Sequence, residues 1–221
     1  SRNALPDFEA ATITASGFKT NCYTWKFANG RYMSLCENLT DLSHIAVLHS
    51  RSAPGAGDHW LKTPLTITRS GETYTVVRAT KGPWNAFLEA QYGAGNAITG
   101  TIEMHTQSDY YSHAYMRTSS FIIDRIAGRT DVPPAYGKSF QHHFITPATA
   151  RSTHYFGFRS RNFRLDDAEY DRVWEVADHL VRQEDVDAIE AMEPHLDDFA
   201  DPRRELIARA DSVSVRFRRN L

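Results

Sequence analysis

The first half of the chain changes from a strand pattern to a helical one and back. The segment FKTNCYTWKF, 18–27, has the pattern of a strand. After the break ANG, the segment 31–50 carries apolar residues at helical spacing. A loop rich in Gly, Pro and Ser follows, and the alternation in 65–80, on both sides of Ser70 and Gly71, is typical of a hairpin. The pattern therefore predicts a strand, a helix and a β-hairpin.

The second half predicts consecutive strands and then helices. Runs with strand character lie at 97–107, 110–124, 137–149 and 152–163. Consecutive strands without helical crossovers build an antiparallel sheet. A long helix follows in 164–193, with Asp166 or Asp167 as its N-cap. Its apolar positions at helical spacing are Val173, Val176, Ala177, Leu180, Val181, Ala188, Ile189 and Met192.

A last helix is predicted in 201–220, with Pro202 in its first turn. The fold class is therefore α+β: a curved antiparallel sheet covered by a long helix. With 221 residues and 41% hydrophobic composition, the chain fits one globular domain.

Composition excludes several partners. The formal charge is −2, from 25 basic and 27 acidic residues that are mixed along the chain, so no basic surface for nucleic acid or anionic lipid is expected. No apolar run reaches the roughly 20 residues of a membrane span, and we expect a soluble, cytoplasmic protein. Cys22 and Cys36 are expected to be free thiols, as in a reducing compartment.

The segment NLTDLSHIAVLHS, 38–50, places three side chains with metal-binding or capping chemistry close together. On an ideal helix Asp41 and His44 lie about 60° apart, but His44 and His49 lie about 140° out of register. Both imidazoles can face one ion only if the helix ends or bulges between them. Alternatively, Asp41 caps a short helix and the histidines make ordinary hydrogen bonds.

The long helix supplies candidates for a third ligand. Glu184 and Asp185 fall within the sector of its apolar side chains, where an unpaired carboxylate is costly. Two imidazoles and one carboxylate form the facial triad of non-haem Fe(II) oxygenases. Spacing alone does not choose between the two acids, and one of them can instead reach solvent at the edge of the apolar stripe.

The D-x-x-H-x-x-x-x-H pattern of this segment resembles the signature of Rieske non-haem iron oxygenases, in the branch of vanillate O-demethylase and dicamba monooxygenase. The segments ALPDF (4–8), 143–167 and 180–193 resemble further parts of that family in the same order. The resemblance implies that His44, His49 and Asp185 bind a mononuclear Fe(II). It also implies that Asp41 is a carboxylate that accepts a hydrogen bond from a ligating histidine and connects to a Rieske cluster on a neighbouring subunit. Asn38 takes the family's position for an asparagine near the iron.

The resemblance further implies a helix-grip fold (Bet v 1-like or START-like), in which the sheet wraps the long helix around an apolar cavity. Monooxygenation, O-demethylation or hydroxylation of an aromatic substrate with O₂ would take place there. His143, Ser120 and Val176 are expected to face that substrate. A homotrimer, with a reductase as electron donor, is expected from the family.

The chain also departs from the family pattern. A Rieske [2Fe-2S] cluster needs C-x-H and C-x-x-H pairs, but neither Cys22 nor Cys36 is followed by a histidine at either spacing. We therefore expect residues 1–221 to form a single mononuclear-iron catalytic domain, with the Rieske cluster on a separate or missing domain. Two alternatives stay open: a helix-grip domain that only binds a hydrophobic ligand, or a zinc hydrolase with Asp41 or Glu184 as its base.

Overall fold

The computed structural model describes residues 5–55, 63–93, 101–119, 122–126, 137–199, 206–208 and 211–219 of the 221-residue chain. Within these residues eight strands form one antiparallel sheet. They are β1 (Lys19–Ala28), β2 (Leu65–Ser70), β3 (Thr73–Gly82), β4 (Ile102–Tyr110), β5 (Tyr115–Ser119), β6 (Ile122–Ile126), β7 (Ser139–Thr149) and β8 (Ser152–Arg161).

The helices of the same residues are α1 (Tyr32–Thr40), a 3-10 turn (Leu42–His44), α2 (Ile45–Leu48), α3 (Ala86–Tyr92), α4 (Ala168–Met192), a second 3-10 segment (Glu193–Phe199) and α5 (Ser212–Arg218). Helix α3 is not predicted from its apolar spacing. It begins at Asn85, whose side chain accepts a hydrogen bond from the Leu88 amide. The last helix, predicted over 201–220, is shorter than expected: residues 206–208 have no regular structure and α5 begins at Ser212. Its predicted first turn at Pro202 lies outside the described residues.

The sheet order is β1-β8-β7-β5-β4-β3-β2, and β6 pairs with β4 beside β5. Neighbouring strands pair antiparallel throughout, which confirms the expected sheet. The hairpin of β2 and β3 turns at Gly71, whose φ of 59° is in the left-handed region that glycine adopts without strain. The first strand, β1, lies at one edge of the sheet, and its neighbour is the last strand, β8.

Helix α4 packs against the inner face of the sheet along β1, as the fold prediction expects. Asp167 is its N-cap and accepts a hydrogen bond from the Tyr170 amide. The predicted apolar stripe is wrong in part, because Val176, Leu180 and Met192 are about half exposed. The buried positions of α4 are Tyr170, Trp174, Asp178, Arg182, Asp185, Val186 and Ile189.

Three apolar clusters of the described residues hold the layers together, and the smallest packs Tyr170 and Trp174 of α4 against Cys22 of β1. The largest cluster joins α1, the C-terminal half of α4 and α5 to the inner face of the sheet, with Leu35, Tyr155 and Ile189 at its centre. The second cluster packs α3 against β4 through Leu88, Ile102 and other side chains. Between its apolar contacts, α4 also buries the charged residues Asp178, Arg182 and Asp185.

Both cysteines are buried free thiols, as predicted. Among the described residues, none of the helices has the length and apolar composition to cross a bilayer.

Candidate metal centre

The sequence requires the helix to end or bulge between the two histidines, and α2 ends at Leu48, so that His49 is the first residue past it. A second interruption lies upstream of both histidines, at Asp41. Helix α1 ends at Thr40, and the Asp41 carboxylate accepts hydrogen bonds from the backbone amide of Ser43 (3.0 Å) and from its hydroxyl (2.8 Å). These bonds start the 3-10 turn that carries His44, and the four-residue helix α2 then leads to His49. The end of α2 before His49, rather than a π-bulge, therefore lets both imidazoles face one point.

Three side chains converge at this break and on α4. His44, His49 and Asp185 each offer one ligand atom, and these atoms lie within 4.8 Å of one another. Asp185 Oδ1 is 3.1 Å from His49 Nε2 and 3.6 Å from His44 Nε2. The two rings are 5.1 Å apart between centroids and nearly perpendicular. Two imidazole nitrogens and one carboxylate oxygen in this space fit a divalent transition-metal ion.

The protein holds both histidines by the ring nitrogen that points away from this centre. His44 Nδ1 donates to the backbone carbonyl of Asp41 at 2.6 Å. His49 Nδ1 lies 2.7 Å from Glu184 Oε2, which also accepts from the Ser52 hydroxyl. Bonds of this kind fix the tautomer and orientation of a metal-binding imidazole, so Nε2 of each ring is left for an ion.

The side chains around the two histidines differ from the expected arrangement. The bond from a ligating histidine goes to the backbone carbonyl of Asp41, whereas the carboxylate that was expected to accept it caps the 3-10 turn instead. Glu184, which helical spacing leaves equivalent to Asp185, is the carboxylate that holds the far nitrogen of His49. Asn38 Nδ2 donates to Asp185 Oδ1 at 2.7 Å, so Asn38 orients the third ligand.

The two imidazoles differ in how readily they carry a proton. Burial lowers the pKa of His44, against the opposing charge of Asp185. Burial also acts against a proton on His49, but the hydrogen bonds and charges of Asp185 and Glu184 outweigh it and raise the pKa of His49. A metal ion at this centre displaces that proton, because it binds the unprotonated ring.

A cavity of about 270 Å³ opens beside the three side chains. Its walls are mostly apolar and include Leu39, Leu42, Ile45, Phe87, Trp174 and Val181. His143 lines it, as the resemblance implies. Val176 does not, because its side chain points out of the molecule and is 53% exposed; Val173 and Ala177, on the neighbouring face of α4, line the cavity instead. Ser120 lies outside the described residues.

The polar wall of the cavity is a buried network that the sequence pattern did not predict. Arg182 Nε donates to Asp178 Oδ2 at 2.7 Å, and Arg182 Nη1 donates to His143 Nδ1 at 2.9 Å. The guanidinium passes directly over Gly157, where a Cβ would overlap its atoms. Only glycine at this position of β8 leaves room for Arg182.

Comparison with known proteins identifies the class. The profile of the family described as vanillate O-demethylase oxygenase C-terminal domain matches residues 28–221. The chain therefore belongs to this family of oxygenase-component domains.

Among individual relatives, the oxygenase component of dicamba O-demethylase from Stenotrophomonas maltophilia is 27% identical over 230 residues, which cover 99% of this chain and 62% of the relative. The crystal structure of dicamba monooxygenase bound to 3,6-dichlorosalicylic acid superposes with a TM-score of 0.78 at 24% identity, over 99% of this chain and 62% of the other. Dicamba monooxygenase with non-heme iron and dicamba gives 0.70 at 21% identity, over 100% of this chain and 60% of the other.

NdmA of Pseudomonas putida CBB5 with caffeine has the same fold, with a TM-score of 0.68 at 18% identity over 98% of this chain and 54% of the other. The chain spans 62% of the length of the dicamba O-demethylase relative. The structural likenesses establish a shared fold, with the long helix gripped by the sheet.

Proposed function

We propose that this chain is the catalytic domain of a Rieske-type oxygenase component, which holds one ferrous ion with His44, His49 and Asp185. The convergence of their three ligand atoms within 4.8 Å, at the wall of an apolar cavity, carries the proposal. Family membership supports iron over the alternatives of a zinc hydrolase or a simple ligand-binding domain.

The substrate is proposed to be an aromatic compound that is demethylated, hydroxylated or otherwise monooxygenated. A facial triad leaves coordination positions open, and a ferrous ion bound there supplies the activation of O₂. The residues of the chain have other tasks. Asn38 and Glu184 orient ligand side chains, while the apolar walls exclude water and hold the ring of the substrate beside the centre.

Electrons have to come from outside this domain. We propose a Rieske [2Fe-2S] cluster on another part of the protein or on a neighbouring subunit of a homotrimer, reduced by a separate reductase, in the cytoplasm. The absence of C-x-H and C-x-x-H pairs from residues 1–221 supports this division. Asp41 remains the candidate for a link between the cluster and the iron.

The first test is metal content after anaerobic reconstitution with Fe(II). We expect one iron per wild-type chain and loss of stoichiometric iron in Asp185→Ala, because two imidazoles alone bind the ion poorly. The matched control is Asp187→Ala, two positions along α4, where the carboxylate accepts a bond from Gln183 and does not reach the centre; it should retain iron.

X-ray absorption with iron and zinc in competition separates the alternatives. Nitrogen and oxygen ligands around iron, lost in Asp185→Ala, support the proposal. Wild-type protein that stays free of iron contradicts it in favour of a ligand-binding domain, whereas preferential retention of zinc favours a hydrolase.

A further inference from the structure

The cavity contains a buried ion pair that has no role in holding the metal. Arg182 and Asp178 lie one turn apart on α4, with their side chains 1% and 6% exposed, and both line the cavity. A buried charge is costly unless it is paired and hydrogen-bonded. The pair therefore forms a neutral unit in the wall of an otherwise apolar chamber.

The hydrogen bonds of Arg182 are directed into the protein. Besides Asp178, it donates to His143 Nδ1 at 2.9 Å and to the His142 carbonyl at 3.4 Å. Because arginine only donates, Nδ1 of His143 is an acceptor, and Nε2 carries the hydrogen that goes to the Thr118 hydroxyl at 2.9 Å. Neither Arg182 nor His143 thus presents an unpaired positive charge to a ligand.

Only one of the two carboxylate oxygens of Asp178 accepts hydrogen bonds from the described residues. Its Oδ2 accepts from Arg182 and from the Thr24 hydroxyl at 2.8 Å. Within the described part of the chain, no hydrogen bond reaches Oδ1. Since Asp178 lines the cavity, Oδ1 is an acceptor available to a bound molecule.

The charged side chains of the described residues around the chamber disfavour an anion. Among the described residues that line it, Arg182 is the single permanent cation, while Asp178 and Asp185 are carboxylates, and Glu184 stands behind His49. The three positive charges of a divalent ion and Arg182 would balance the three negative charges of these carboxylates. Without the ion, the net charge around the chamber is negative. A ligand carboxylate would add a negative charge without compensation in an apolar cavity.

We propose that this cavity selects an uncharged aromatic ligand whose hydroxyl or N–H group donates a hydrogen bond to Asp178 Oδ1, and that it disfavours aromatic carboxylates. The inference rests on the proposed function, because it assigns the substrate class of the same site. It sets this chain apart from the relative whose crystal structure holds 3,6-dichlorosalicylic acid.

The test compares three ligands of similar size by isothermal titration calorimetry, on iron-loaded and on metal-free protein. Guaiacol is neutral and has a donor, its methyl ether veratrole is neutral without one, and ortho-methoxybenzoate is an anion. Guaiacol should bind about tenfold or more tightly than either of the others, since only guaiacol satisfies a buried acceptor without adding charge. Equal or tighter binding of the benzoate to the wild type would overturn the inference.

A charge variant tests the assigned residue. Asp178→Asn leaves the charge of Arg182 without its partner, so the ratio of guaiacol to benzoate affinity should shift by about tenfold or more toward the benzoate. The matched control Thr24→Val removes a hydrogen bond to the same carboxylate without a change in charge, and should keep the wild-type ranking. An unchanged ratio in a folded Asp178→Asn protein contradicts the assignment.

Circular dichroism establishes whether Asp178→Asn folds; if it does not, the wild-type ranking of the three ligands decides. Failure of this inference differs from failure of the proposed function. If guaiacol binds most tightly but the protein binds no iron, only the oxygenase proposal is contradicted. If the protein binds stoichiometric iron but the ranking of the three ligands is reversed, only the inference on the ligand is contradicted.

Discussion

Glu184 lies between Gln183 and Asp185 on α4, yet the three side chains contact different parts of the protein. Its Oε2 lies 2.7 Å from His49 Nδ1, while Gln183 faces outward to Lys26 and Asp187. Consecutive residues on a helix point about 100° apart. One acid of the pair can therefore face the metal centre directly while the other reaches around to the far nitrogen of His49.

Replacement of Glu184 by glutamine should weaken metal binding without abolishing it. The neutral amide holds the imidazole less firmly and makes it less basic, so we expect Fe(II) affinity to fall about tenfold to a hundredfold. Competition with a chromophoric chelator measures this. Ser52→Ala removes one hydrogen bond to Glu184 but leaves its carboxylate on His49, and should cost much less. Equal affinities for wild type and Glu184→Gln would exclude a positioning role.

At the scale of elements, the change from α1 to the 3-10 turn and α2 decides whether two histidines can face one ion. Asp41 ends the first helix and begins the turn, and its carboxylate accepts from Ser43. The same residue holds His44 through its backbone carbonyl. The position of His44 thus depends on one cap.

Asp41→Ala should loosen this turn, because it removes the side-chain acceptor. Loss of such a cap costs about 1 kcal/mol, which corresponds to about a fivefold loss of Fe(II) affinity if the turn must reform to bind. Asp41→Asn should keep the wild-type affinity, since asparagine caps as well as aspartate. The same chelator competition measures both variants, and a loss in Asp41→Asn as large as in Asp41→Ala would show that charge matters instead.

The elements themselves were largely predictable from the sequence, and the reasons for the exceptions are physical. Strand patterns and the Ser70–Gly71 turn act locally, so the sheet and its hairpin follow from nearby residues. The spacing of His44 and His49 requires the helix to end or bulge between them, and α2 ends at Leu48, just before His49. The predicted buried face of α4 is wrong in part. The prediction follows the spacing of apolar residues, whereas the buried face carries the charged residues Asp178 and Arg182.

Asp178 and Arg182 pair with each other one turn apart on α4, but their burial also depends on partners distant in sequence. Thr24 and His143 lie on other strands, and Gly157 provides the room for the guanidinium. No pattern within the helix reveals these contacts. The assignment of His44, His49 and Asp185 came from the family resemblance, since helical spacing left Glu184 and Asp185 equivalent.

At the scale of the whole molecule, the sheet buries two adjacent histidines on opposite faces. His142 is held between the Tyr115 hydroxyl and the Ser160 hydroxyl, each at 2.8 Å, and has no exposed surface. Burial and the nearby charges of Arg117 and Arg182 lower the pKa of His142 to about 3. Burial and Arg182 also lower the pKa of His143 well below its usual range.

Acid should therefore destabilise the entire fold well above the range where carboxylates titrate. Each histidine stays neutral in the folded state but takes up a proton near pH 6.5 once unfolded, so protons favour unfolding as the pH falls below that value. Between pH 6.5 and pH 5, His142 should lower the free energy of unfolding by about 2 kcal/mol, and His143 should act in the same direction. Urea unfolding of the metal-free protein across this range measures the slope.

His142→Phe separates the share of one histidine from the rest. The variant loses two hydrogen bonds and is less stable at neutral pH, but its stability should fall less steeply with acid, by about 2 kcal/mol less over the same interval. The comparison of slopes is insensitive to the stability lost at neutral pH, because that loss does not depend on a proton. A slope equal to that of the wild type would mean that His142 is already able to accept a proton in the folded sheet, and that the neutral hydrogen-bonded ring between Tyr115 and Ser160 does not describe it.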